Sequence, residues 1–264
     1  MSLFDGIGCF WLSFLPLIAH GWSWVRTFSS ESNAACQALL AHRFPGLVHL
    51  GDIRSITLES LKEAFKGLDA NVLVVGGGSP CTNISRAGDK KGLAGKDSSL
   101  FFEFVRVLDL CIDLCDEMKW TLHFVFEMVV PQDVSIARTI SEYLCCGLPI
   151  LVDGADFGWC TRRRLFWTSA KITGALLRFI SPPPSAPWRV FRVPHSQRLL
   201  PALGKIFRSS YQPRWLSGAA TRAYPEGRLP VITNRLWGAP PNGRDTASRE
   251  VSIYHLSSSI YRLI

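Results

Sequence analysis

Short β-branched runs alternate with helix-patterned segments through the first two thirds of the chain, and few folds admit that alternation. Strands this short and this close to intervening helices read as βαβ units, in which each helix carries the chain back to begin the next parallel strand. The pattern predicts strands at Ser2–Phe4, Val25–Phe28, Val48–Leu50, Asn71–Val75, His123–Phe126, Ile150–Val152 and Arg164–Thr168, the last two completing the sheet. It predicts helices at Cys9–Ala19, Asn33–Phe44, Ser99–Cys115 and Ser135–Cys145, and one more capped by Thr57 with Glu59 in its acidic first turn. The expected fold is α/β, a doubly wound Rossmann-like sheet. Beyond residue 171, "SPPPSAPWRVFRVPHSQ" breaks every period, so a short, basic, irregular carboxyl-terminal region is expected there.

At 264 residues the chain has enough material for one such domain with a substantial core. Hydrophobic residues make up 47% and charged ones 19%, which excludes a disordered polyelectrolyte. The eight cysteines are scattered with no paired CxxC motifs, so neither a zinc site nor any other metal site is expected. Free thiols in a reducing, intracellular protein are the expectation, with Cys111 and Cys115 one helical turn apart on a core stripe. The apolar stretch from Ile7 to Ala19 follows Asp5, lacks a basic leader and is broken by Pro16. It suits neither a signal peptide nor a membrane span, and no membrane partner is expected.

Charge is distributed unevenly. Residues 1–161 carry 12 Lys/Arg against 18 Asp/Glu, and residues 162–264 carry 17 against 3, balances of −6 and +14. Eleven of the 16 prolines also lie after residue 161. The second part is a candidate for meeting a polyanion, against the plainer reading of a basic, poorly folded tail.

The chemistry concentrates at predicted strand ends. After Asn71–Val75 come "GGGSPC": Gly76 to Gly78 free the backbone, Pro80 stiffens the turn, and Cys81 emerges at the carboxyl end of a strand, where open α/β sheets keep their ligands. "LFDGIGCF" places Gly6 and Gly8 in a strand-to-helix turn where backbone amides can approach a ligand, although two glycines alone often mean tight packing. Glu31 follows the second strand, where a carboxylate can accept from a ribose diol, and Asp52 and Ile53 follow the third. Three consecutive strand ends of this kind suggest one adenosine-type pocket. Glu127 ends the fifth strand after an apolar run, costly for a carboxylate unless it is paired or neutral, and its place in the sheet should adjoin that of Cys81. In "TRRRLFW", Arg162 and Arg164 fall on one face of an extended segment and Arg163 on the other. The competing reading is a solvated basic edge.

The order FDGIG, GDI, GGSPC, FE-V and RRR resembles the DNA cytosine-5 methyltransferases. "GDIRSIT", "SPCTNIS", "KGLAGKDSSLFFEFVRVL" and "RRRLFW" are closest to the eukaryotic de novo class, and the resemblance covers residues 2 to about 168. It implies a methyltransferase core over residues 1–170 and an incomplete target-recognition region over residues 171–264. It implies an S-adenosylmethionine pocket lined by Phe4, Asp5, Gly6, Ile7 and Leu100, with Glu31 holding the ribose and Asp52 and Ile53 the adenine. It implies Cys81 as nucleophile, Glu127 bonded to the cytosine ring, and Arg162 and Arg164 as its helpers. A thiolate adding to carbon 6 turns the ring into an enamine able to accept a methyl group at carbon 5, once the base has left its stack. Glu127, protonated or sharing a proton, would stabilise charge at ring nitrogen 3.

DNA is the implied partner and the nucleus the implied compartment. Two departures stand out. Met128 occupies the position where the family usually has asparagine, and the family's final motif is not found before the chain stops at "SSSIYRLI". The second departure carries the expectation of weak cofactor binding and slow turnover. Two other functions compete: a non-catalytic accessory subunit that binds a related methyltransferase, and an RNA cytosine methyltransferase.

Overall fold

Val72 to Val75 lead into the glycines of Gly76–Gly78, and the strand they begin lies near the middle of the sheet. The computed structural model describes residues 1–14, 21–81, 84, 92–95, 98–156, 162–170, 178–180 and 187–192. Among them are strands β1 (Ser2–Leu3), β2 (Phe28–Ser30), β3 (Val48–Gly51), β4 (Val72–Gly77), β5 (Thr121–Val129), β6 (Ile150–Asp153), β7 (Arg163–Thr168), β8 (Arg178–Ile180) and β9 (Arg189–Arg192). The helices are α1 (Cys9–Ser13), α2 (Ala34–Arg43), α3 (Leu58–Phe65), α4 (Leu100–Met118) and α5 (Val134–Tyr143). The predicted continuation of α1 to Ala19 lies outside the described residues.

The strands form one sheet in the order β3-β2-β1-β4-β5-β7-β6-β9-β8. Strands β3, β2, β1, β4 and β5 run parallel, while β7 is antiparallel to both β5 and β6. The order reverses between β1 and β4, the switch point at which doubly wound sheets open a crevice beyond their strand ends. Neighbouring glycines show the two covered faces directly. A Cβ on Gly76 would strike Phe10 of α1, and one on Gly77 would meet Phe104 of α4. Successive strand residues point to opposite faces, so α1 and α4 lie on opposite sides of the sheet. The protein has an α/β, doubly wound Rossmann-like sheet fold.

Local signals explain the helix boundaries. Asn33 caps α2 by accepting from the Ala35 and Cys36 amides, and Thr57 and Ser60 form a reciprocal capping box on α3. Helix α4 buries Phe101, Phe104, Val107, Leu108, Cys111, Leu114 and Cys115 along one stripe, so both cysteines are core residues, as their spacing implies. Lys119 then ends the helix in the left-handed region at φ 61°.

Three readings from the sequence need correction. The second strand is Phe28–Ser30 and not Val25–Phe28: Val25 is 45% exposed, while the Ser29 and Ser30 hydroxyls are buried and donate to Asp5 Oδ2 and the Gly51 carbonyl. Polar residues with satisfied hydroxyls therefore fill a buried strand that an apolar pattern misses. Glu127 does not end β5, because β7 pairs alongside and carries the strand on to Val129. The sheet also does not stop at Thr168, since β9 pairs with β6 and β8 with β9.

Candidate active site

A cleft of about 240 Å³ opens at the switch point, lined by Phe4, Ser30, Glu31, Ser32, Asp52, Ile53, Arg54, Gly78, Pro80 and Leu100. The ends of β1, β2 and β3 and the turn after β4 converge on it. Glu31 is fixed by two backbone amides: Gly6 N–H donates to Oε2 and Asn33 N–H to Oε1, both at 2.7 Å. Each carboxylate oxygen keeps further acceptor capacity towards the cleft. Asp52 accepts from the Arg54 amide at 2.9 Å and from Arg54 Nη2 at 2.6 Å, and those bonds hold its carboxyl down to about 2. Ile53 is buried beside it. Arg106 of α4 reaches across to donate to the Ile53 and Ile56 carbonyls, fixing that wall.

The turn after β4 carries the second half of the site. Gly77 pairs with Phe126, so Gly78 passes directly beside Glu127; a Cβ on Gly78 would lie 2.8 Å from Glu127 Oε2. Arg164 Nε lies 2.6 Å from Glu127 Oε1, while Arg164 Nη1 donates to the Arg163 carbonyl at 2.8 Å. Burial pushes the Cys81 thiol up, Arg164 pulls it back, Glu127 pushes it up again, and Arg162 pulls it down. Burial, and then Arg164 beside it, push the Arg162 guanidinium down, while Glu127, Cys81 and Cys9 oppose this. One thiol, one carboxylate and two guanidiniums thus share a single electrostatic neighbourhood next to the cleft. Arg163 points elsewhere, 3.4 Å from Asp153, as the alternation along an extended segment requires.

Of the residues singled out from sequence, Phe4, Glu31, Asp52, Ile53 and Leu100 line the cleft, and Cys81, Glu127, Arg162 and Arg164 gather at its side. The Asp5 carboxylate turns inward to accept from Ser2, Trp11 and Ser29, each at 2.7 Å. Gly6 serves by holding Glu31. Ile7 is half-buried and does not line the cleft. Gly8, at φ 84°, packs against Phe44 and Leu40, so its role is close approach. Sequence reasoning missed Ser30, Ser32 and Arg54. Met128 is fully buried in the core on the opposite face of β5 from Glu127, and in this chain that position is a packing position.

Residues 1–110 match the family model of C-5 cytosine-specific DNA methylases. The match spans the cleft, the glycine turn and Cys81. The chain is 28% identical over 167 residues to the Type II methyltransferase M.AquIA of Picosynechococcus sp., covering 60% of this chain and 65% of that protein. It is 30% identical over 113 residues to the DNA (cytosine-5)-methyltransferase DRM2 of Oryza sativa subsp. japonica, covering 41% of this chain and 19% of that one. A solved structure of a DNMT2 mutant from Spodoptera frugiperda aligns with a TM-score of 0.48 at 16% identity, covering 80% of this chain and 60% of that chain. The chain therefore spans less than two thirds of the length of these relatives. The family model and these relatives are all of C-5 cytosine DNA methylases or DNA methyltransferases, and the family match covers residues 1–110 of this chain.

Proposed function

We propose that this protein transfers a methyl group from S-adenosylmethionine to carbon 5 of cytosine in DNA, through a covalent adduct on Cys81. The observation that carries the reading is the convergence of Cys81, Glu127, Arg162 and Arg164 beside a cleft whose far wall holds a preorganised carboxylate. The residues present fit the cofactor. Glu31 offers acceptors for a ribose diol, Ile53, Phe4 and Leu100 offer apolar surface for an adenine, and Gly78 lets the chain pass close. When bound, the cofactor supplies an electrophilic methyl group.

The chain's own residues do the rest. The Cys81 thiolate adds to carbon 6 of the flipped base and raises electron density at carbon 5. A proton carried or shared by the Glu127 carboxyl stabilises charge developing at ring nitrogen 3, and Arg164 fixes that carboxyl in place. Arg162 and Arg164 favour the thiolate, which the half-buried setting of Cys81 otherwise disfavours. Later loss of the carbon 5 proton expels the cysteine. The +14 balance of residues 162–264 supplies charge for the DNA backbone. "SPCTNIS" and "GDIRSIT" support DNA over RNA and a place near the eukaryotic de novo class, with the nucleus as the compartment of such a substrate.

Trapping tests the reading. Protein incubated with S-adenosylmethionine and a duplex carrying 5-fluorocytosine should form a covalent adduct that denaturation does not release, and Cys81→Ala should form none. A folded, cofactor-binding protein that yields no adduct overturns it.

A further inference from the structure

Asp153 ends β6 and is 5% exposed, yet its carboxylate has no part in the chemistry above. Its Oδ1 accepts from the Ala155 amide at 3.1 Å and from the Arg162 amide at 3.0 Å, and its Oδ2 faces Arg163 Nε at 3.4 Å. The Gly154 amide donates to the Arg162 carbonyl at 2.9 Å. Both peptide groups of Arg162 are therefore tied to the end of β6, and the turn between β6 and β7 is closed at its neck. Strand pairing sets Asp153 opposite Arg163 and Val152 opposite Arg164.

We propose that Asp153 is a positioning residue, fixing the Arg162 backbone at the neck between β6 and β7 through the amide hydrogen bond its carboxylate accepts, and with it the place of the Arg162 guanidinium on the face it shares with Arg164 near Cys81. The inference rests on the role given to Cys81 above, but its test needs no methyl transfer. Among the described residues, the charged groups that act on the thiol are Arg164, Glu127 and Arg162. Direct electrostatics and positioning then predict opposite signs. Removing a nearby negative charge eases ionisation of a thiol, whereas releasing Arg162 hinders it.

The experiment is the pH profile of Cys81 alkylation by iodoacetamide in the full chain. Peptide mass spectrometry must resolve the site, because Cys9, Cys36, Cys145 and Cys146 are also free and incompletely buried. Asp153→Ala should slow Cys81 alkylation about tenfold near pH 8, because a displaced guanidinium no longer favours the thiolate. Asp153→Asn keeps an oxygen for both amides and should stay near the parent. In an Arg162→Ala background, Asp153→Ala should add nothing, because its effect acts through that guanidinium. If the alanine variant does not fold, Asp153→Ser, with its shorter reach, carries the same comparison. Equal shifts in the alanine and asparagine variants, faster alkylation in either, or an undiminished alanine effect without Arg162 would overturn the proposal. A chain that transfers no methyl group but reproduces these profiles leaves the positioning role standing and removes only the catalytic reading.

Discussion

Arg164 Nε and Glu127 Oε1 are 2.6 Å apart, and the two residues come from antiparallel neighbours, β7 and β5. The guanidinium is 19% exposed and the carboxylate 31%, so the pair is largely shielded from solvent and screened less by salt than a surface pair. It couples the acid to the thiol, because both members also act on Cys81.

Arg164→Leu should lower methyl transfer by about two to three orders of magnitude, the usual range for removing one electrostatic stabiliser. Because Arg164 is the strongest influence pulling the Cys81 thiol down, the alkylation profile of Cys81 should also move to higher pH. Radiolabelled transfer and alkylation rates measure the two effects. An unchanged thiol profile would detach Arg164 from the nucleophile.

Glu31→Ala removes the carboxylate that two backbone amides preorganise, and leaves the Gly6 and Asn33 N–H groups without their acceptor. Losing charge-assisted hydrogen bonds of about 1.5–3 kcal/mol should weaken S-adenosylmethionine binding roughly tenfold to a hundredfold. Calorimetric titration reads this, and Glu31→Gln should recover part of the affinity. Wild-type affinity in the alanine variant would move the ribose site elsewhere.

Gly78→Ala puts a methyl group 2.8 Å from Glu127 Oε2 and 2.9 Å from the Glu127 carbonyl. One of these neighbours is backbone, so the turn or β5 has to give. The cost should be about 1–3 kcal/mol of stability, typical of overpacking. Transfer should fall further than stability does, because Glu127 is displaced. A melting curve and a kcat measurement on the same sample separate the two. Parent-like values of both would show that the turn can relax freely.

Thiol burial predicts an alkaline limit. Burial pushes the Cys111 thiol from 9.0 up to about 12, and that of Cys115 up to about 11. Between those values the unfolded chain releases protons that the folded chain keeps, so stability is complete below about pH 9 and falls as pH rises. The melting temperature should decline steadily over that window, with a shallower slope in Cys111→Ser. Identical slopes in parent and variant would show that Cys111 does not govern the decline.

What could be read in advance follows from the range of the forces involved. Asn33 and Thr57 cap their helices through bonds to residues two or three positions away, so a single stretch of sequence contains the whole signal. Cys81 was legible because glycines and a proline mark a turn whatever surrounds it. Ser30 and Arg54 were not. They reach the cleft only through the pairing of β2 with β3, whose register shifts between Ser29 and Ser30. The pairing of β9 with β6 joins Arg189 to Ile150, and no local period announces a partner that far along the chain. The inward turn of the Asp5 carboxylate was equally hidden, since Ser29 and Trp11 are its partners only in the folded sheet.

The reversed direction of β7 has a consequence for the order in which the site comes into being. Apart from Leu100 at the start of α4, the crevice lining and the Cys81 turn end or follow β1–β4, none of which pairs with residues 162–168. Arg164 meets Glu127, and both arginines come under the same charge neighbourhood as Cys81, only when β7 lies between β5 and β6. A refolding chain should therefore gain a ligand cleft before it gains a reactive cysteine, and a chain that opens locally at β7 should lose reactivity first. Time-resolved alkylation of Cys81 during refolding would then report the arrival of a single strand.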